Sequence, residues 1–153
     1  MMSYQEIQIN DDNGSAEGYV VSSSSENVAN FLEREVGAEL GEQILAILRD
    51  KTQRVAVFKN LNVDEDSRGN GVGTDLACRF FDAAGHIDAV ILIADAVESQ
   101  RDGFSLKAFY EGFDFEKVAG TPAGPLMVCP IELAEEIREH LTKFVETRQR
   151  PAG

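Results

Sequence analysis

One stretch limits what this chain can become. Residues 54–63 contain Val55-Ala56-Val57-Phe58 and run on through Leu61-Asn62-Val63, an apolar, β-branched segment of strand character. A polar turn, Asp64-Glu65-Asp66-Ser67, leads into Arg68-Gly69-Asn70-Gly71-Val72-Gly73-Thr74. From about Gly73 to Ala84, Leu76, Ala77, Phe80 and Phe81 fall on one helical face, and Gly85 supplies a stop. Residues 89–94 are then apolar without a break, as expected of a strand covered on both faces. Strand, glycine loop, helix and buried strand in that order place this unit at the centre of a mixed sheet.

The remaining elements are read from the same periodicities. Residues 4–9 alternate weakly, the cluster 10–14 is rich in turn formers, and Gly18-Tyr19-Val20-Val21-Ser22 is a second strand, so the chain opens on a hairpin. Ser23 and Glu26 stand at capping-box spacing ahead of a helix carrying Val28, Phe31, Leu32 and Val36, which Gly37 ends. A second helix holds Leu40, Ile44, Leu45, Ile47 and Leu48 on one face. Beyond the buried strand lie a loop at 99–103, a short helix at 105–111 and a strand from Phe115 to Val118. A flexible connection at 120–125, a strand from Leu126 to Cys129 and a helix over 131–148 complete the reading. In that last helix Leu133, Ile137, Leu141, Phe144 and Val145 make a stripe, either packed on the chain's own sheet or shared in a homodimer. Cys78 is expected as a small packing residue on its helix, and His86 and His140 at helix ends or on the surface.

A glycine-rich turn at a helix start has a definite chemistry. The first helical amides have no internal partner, the helix dipole is positive there, and glycine lets the backbone approach a phosphate. A nucleotide-triphosphate loop requires a lysine and then Ser/Thr after its last glycine, and no lysine follows Gly73. A dinucleotide fingerprint requires G-x-G-x-x-G, whereas Gly69, Gly71 and Gly73 are spaced by two.

The residues do match Arg-x-x-Gly-x-Gly after a Leu-x-Val strand end. Here that is Leu61-Asn62-Val63 followed by Arg68-Gly69-Asn70-Gly71-Val72-Gly73. At the expected distance downstream come Phe109-Tyr110-Glu111 and Phe115, with Asp114 where glycine is usual. Over roughly residues 55–118 the chain closely resembles the cofactor half of the GNAT superfamily of acetyl-CoA-dependent N-acetyltransferases. The resemblance implies an α/β (α+β) fold. It would be a three-layer α/β/α sandwich with a mixed, mostly antiparallel, twisted sheet, holding acetyl-coenzyme A (acetyl-CoA) as co-substrate at a splay between the strands at 55–63 and 89–94.

By the same resemblance, amides of Arg68, Gly69, Asn70, Gly71, Val72, Gly73 and Thr74 would bind the pyrophosphate. Leu61, Asn62 and Val63 would pair with the pantetheine arm, and the Val63 amide would polarise the thioester carbonyl. Tyr110 would stand by the sulphur and protonate the leaving thiolate; the other reading of Tyr110 is a core aromatic. The general base stays open among Glu65, Asp66 and a water chain, because the strand offers only Asn60 and Asn62. The hairpin that the family places before the central strand is absent there or moved to the N-terminus.

Composition sets the remaining limits. The 153 residues suit one domain, with no apolar run of membrane-spanning length. Two cysteines, Cys78 and Cys129, and no basic-then-apolar leader argue for a reduced, cytoplasmic setting. No metal-ligand set and no nucleophilic triad is present, although covalent chemistry at either cysteine is a further option. A net charge of −13 repels phosphate backbones, which disfavours nucleic acid, and attracts a cationic amine or basic peptide. The expectation is an N-acetyltransferase acting on a primary amine; a non-catalytic acyl-CoA sensor is the alternative.

Overall fold

The computed structural model describes residues 4–63, 71–94 and 110–149. In chain order its elements are β1 (Gln5–Asp11), β2 (Gly14–Ser22), α1 (Glu26–Val36), α2 (Ala38–Lys51), β3 (Arg54–Val63), α3 (Val72–Ala84), β4 (Ala89–Ile93), β5 (Glu116–Thr121), β6 (Gly124–Cys129) and α4 (Ile131–Gln149). The described strands form a six-stranded sheet in the order β1-β2-β3-β4-β6-β5. Among them only β3 and β4 run parallel; every other neighbouring pair is antiparallel. The N-terminal hairpin β1–β2 therefore sits against β3, through β2.

Strand alternation divides the core in two. Val55 and Val57 of β3 and Ala89 and Ile91 of β4 point to one face, where α1, α2 and α4 cover them with Leu32, Ile44, Leu48 and Ile137. Ala56, Phe58, Val90 and Leu92 point to the other, against Leu76, Ala77 and Phe80 of α3. Each fully buried aliphatic chain of this kind stabilises the fold by about 1.5–3 kcal/mol relative to exposure. The α4 stripe is part of this packing: Leu133, Ala134, Ile137 and Leu141 are buried on the sheet, and of the stripe only Val145 is largely exposed.

Several local expectations are corrected. The first helix is capped by Ser25, whose hydroxyl accepts the Asn27 amide at 3.1 Å, and not by a Ser23–Glu26 box. Ser23 is instead buried and donates its hydroxyl to the Thr52 carbonyl at 2.7 Å, tying β2 to the end of α2. The hairpin strands are longer than the alternation suggested, because the turn contracts to Asp12 and Asn13 between the paired Asp11 and Gly14. Residues 120–125 are not a flexible connection: Gly120 and Thr121 pair with Pro125 and Gly124, closing a tight β5–β6 hairpin. Cys78 is exposed, since the inward face of α3 is Leu76, Ala77, Phe80 and Ala84. The expected loop at 99–103 and most of the helix at 105–111 lie outside the described residues.

Two positions hold β3 in place. A Cβ added at Gly18 would lie 2.1 Å from the Val57 carbonyl oxygen and 2.7 Å from Phe80 Cζ, so only glycine fits between β3 and α3. At the opposite end Asp88 fastens β4 to β3. Its carboxylate accepts the Gln53 and Arg54 amides at 2.8 and 3.1 Å, and its own amide donates to the Arg54 carbonyl at 2.8 Å.

Replacing Gly18 by Ala is expected to cost at least about 1–3 kcal/mol through overpacking, because the Val57 backbone oxygen cannot move aside as a flexible side chain would. A thermal melt should show a fall of several degrees; an unchanged midpoint would contradict the close approach. Asp88 gives a pH test. The two backbone N–H groups, Gln53 first, hold its carboxyl below the ordinary 3.8. A depressed folded-state pKa means stabilisation that is present above 3.8 and lost as pH falls through the lower folded value. Asp88→Asn should therefore melt earlier than the parent near neutrality, and the two midpoints should converge in acid below about 3.8.

Candidate functional site

The central strand changes partners partway along its length. From Val55 to Phe58 it pairs with β2 on one side and with β4 on the other, Val55 opposite Ala89 and Phe58 opposite Leu92. The parallel register ends there. On the β2 side Gly18 faces Phe58 while Glu17 faces Asn60, so Lys59 is an extra residue, a β-bulge in β3. A bulge bends its strand and increases the local twist. β4 does not follow: Ala94 donates its amide to the Pro125 carbonyl at 3.0 Å and stays with β6. Residues 59–63 thus pair with β2 alone among the described residues, and their other edge faces a fork in the sheet. The described β3–β4 pairing ends at Phe58 and Leu92, within the stretches 55–63 and 89–94 where a splay was expected.

Beyond the fork, α3 begins at Val72. Its N-cap is Gly71, at φ 79° and ψ 8°, a left-handed conformation that glycine adopts without strain. Among the described residues no side chain caps this end. Gly71 accepts the Asp75 amide at 3.0 Å, which leaves the amides of the first turn directed out of the helix. Val72 and Gly73 are half-buried and Thr74 is exposed. Asp75 puts a carboxylate in the same turn, offset by Arg79, which lies 3.7 Å from Asp75 and 3.0 Å from Asp11. Leu61 is half-buried against the α3-side core, Asn62 is exposed, and Val63 closes β3 opposite Gly14. Arg68, Gly69 and Asn70, with the base candidates Glu65 and Asp66, lie outside the described residues.

Tyr110 lies on the α3 side of the sheet, 5% exposed. Its ring meets Phe58 edge-on with centroids 6.0 Å apart and Phe115 at 5.8 Å. Phe58 stacks on Phe80 of α3 at 4.5 Å. Tyr110 is therefore brought to the residue at which β3 and β4 part, and it is brought there as a packed ring. A tight turn follows it. The Phe113 and Phe115 amides donate to the Tyr110 carbonyl, and Asp114 takes φ 69°, the left-handed conformation that glycine would otherwise supply.

Cys129 offers little to nucleophilic chemistry. Burial first, then the nearby Asp114 and Glu132 carboxylates, pushes the half-buried Cys129 thiol up, away from the reactive thiolate. Cys78 lies on the outer face of α3. His86 is exposed, and His140 shares a 2.7 Å hydrogen bond with Gln43 Oε1. Among the described residues no three His, Cys, Asp or Glu side chains converge as a metal site, and no helix is long and apolar enough to cross a membrane. Sequence periodicity missed the bulge at Lys59, although Gly18, a glycine within a strand pattern, was its signal.

No family model matches the chain, and no curated protein matches it. Among solved structures it is similar to the crystal structure of PH1933 from Pyrococcus horikoshii OT3, at 14% identity and a TM-score of 0.42, over 84% of this chain and 97% of that one.

Proposed function

We propose that the chain is an acetyl-CoA-dependent N-acetyltransferase acting on a primary amine, with the fork in the sheet as its cofactor site. The observation that carries this reading is the edge of residues 59–63 to which no described strand pairs, beside the end of the β3–β4 pairing and ahead of a helix that starts at a left-handed glycine. A pantetheine arm carries two amides, and such an edge receives it as it would an added strand. Among the described residues a Cβ at Gly71 would meet no atom within 4 Å, which leaves the start of α3 uncovered beside the amides of Val72, Gly73 and Thr74 that a pyrophosphate would approach.

In this reading the neutral amine attacks the thioester carbonyl, with the Val63 amide stabilising the developing oxyanion. The C–N bond forms and the C–S bond breaks. The thiolate takes a proton from Tyr110, and the amine releases one to a base or to water. Cationic amines and basic peptides are the acceptor classes that the charge of −13 draws in. One observation favours a second reading, a non-catalytic acyl-CoA sensor: Tyr110 is packed among Phe58 and Phe115 with 5% of its surface exposed.

A melt with acetyl-CoA, against NAD and ATP as controls, tests the site. Saturation at about 100 times Kd adds about 2.7 kcal/mol, a rise of several degrees. The absence of a selective rise would end both readings. Tyr110→Phe then separates them. A transferase should keep the acetyl-CoA shift and lose about a hundredfold or more in thiol release over a panel of amines, whereas a sensor shows no turnover in either form.

A further inference from the structure

Across the sheet from α3 and Tyr110 lies a second recess, with a cavity volume of about 480 Å3. Its chemistry is unlike the rest of this acidic chain. Asn27, Asn30, Phe31 and Arg34 line it at i, i+3, i+4 and i+7 of α1, one face of that helix. Tyr19 of β2 and Tyr4 supply stacked rings, centroids 5.4 Å apart, and Tyr19 and Phe31 are buried as its apolar floor. Lys59, the bulge residue, also lines it. No carboxylate is among the described lining residues, in a chain with 27 acidic side chains. Arg34 lies with its guanidinium 5.9 Å over the Phe31 ring and is bonded to Glu35 at 3.2 Å, and Lys59 has no ion-pair partner among the described residues.

We infer that this recess binds a small molecule that joins an aromatic ring to a carboxylate. The ring stacks on Tyr4, Tyr19 and Phe31, and the carboxylate lies between Lys59 and Arg34. Arginine offers a planar fork that a carboxylate fills and lysine a compact cation, so the pair favours an anion over a neutral polar group. The asparagine amides supply both donors and acceptors for a further polar substituent. The size is that of an ordinary small-ligand pocket. Burial, with Tyr4 beside it, pushes the Tyr19 phenol above its usual range against the opposing pull of Arg34, so Tyr19 stays a neutral ring at physiological pH.

Lys59 joins this recess to the fork, because the residue that bends β3 away from β4 is the residue whose side chain lines the pocket. Resting on the acetyl-transfer reading, the ligand is then the acceptor, and the class narrows from the cationic amines that long-range charge attracts to an amine that also carries a carboxylate and a ring, as an aromatic amino acid does. Binding itself does not depend on that reading and is tested without acetyl-CoA.

The probes are 3-phenylpropionate, its amide, phenylethylamine and butyrate, followed by the ring resonances of the tyrosines and by calorimetry on the full chain. The expected result is saturable binding of 3-phenylpropionate, shifting Tyr4 and Tyr19, with the amide, the amine and butyrate at least about tenfold weaker. Arg34→Gln with Lys59→Gln, both exposed positions, should weaken 3-phenylpropionate by about tenfold or more while the melting midpoint is kept. No binding at millimolar ligand, equal binding of phenylethylamine, or affinity indifferent to the double substitution would overturn the inference. Phenylalanine with acetyl-CoA, read by thiol release, tests the acceptor role separately. If acetyl-CoA fails to bind while 3-phenylpropionate binds as expected, the transferase reading falls and the pocket stands.

Discussion

The contact on which this architecture depends is the approach of β3 to its neighbours around Val57 and Phe58. The Val57 carbonyl comes so near Gly18 that no side chain fits there, and Phe80 of α3 closes the same space from the helix side while its ring stacks on Phe58. Up to that point β3 has a partner strand on each edge and a cluster of buried side chains on each face. A strand so enclosed has its register fixed, because a slip of one residue would turn Val55 and Val57 out of one core and into the other. This rigidity governs the distal half of the strand. The bulge at Lys59 can bend that half in a definite direction only because the proximal half cannot move.

Two features then separate the strands. β4 is held to β6 through Ala94 and Pro125, and β3 is held to β2 as far as Val63 opposite Gly14. Each strand keeps one antiparallel partner past the fork, so the gap between them is not a frayed edge. At the near end Asp88 secures the opposite extremity of the same pair through Gln53 and Arg54. Among the described residues the β3–β4 pair is closed at one end and ends at Phe58 and Leu92 at the other. The aromatic cluster of Phe58, Tyr110 and Phe115 packs at that second end, on the α3 side of the sheet.

Much of this was legible in the sequence because it is local. The unbroken apolar run 89–94 fits a strand covered on both faces, and the helix arithmetic of Leu76, Ala77 and Phe80 assigned α3 its buried side. That same arithmetic puts Cys78 outside, so its exposure was available from the spacing. The features that escaped are tertiary. Among consecutive serines any could cap α1; the choice of Ser25 results from Ser23 being occupied by Thr52, a residue 29 positions away. The bulge is likewise a property of the β2–β3 pair, since neither strand alone shows which one carries the extra residue. The aromatic recess joins Tyr4, β2, α1 and β3, and no single periodicity contains it.

The recess also shows why net charge is a poor guide to a ligand. A total of −13 determines how a charged molecule approaches from a distance, but at physiological ionic strength that influence decays over about 8 Å. Within contact range the groups that matter are the few that line the cavity, and here the described ones are two cations, two amides and three rings. A free carboxylate would be slowed by the acidic surface and then held by Lys59 and Arg34. A molecule that also carries a protonated amine has no net charge, so it avoids the long-range repulsion and keeps the short-range attraction. The acidic body and the basic recess therefore select together for a zwitterion, whereas either one alone would select for an ion.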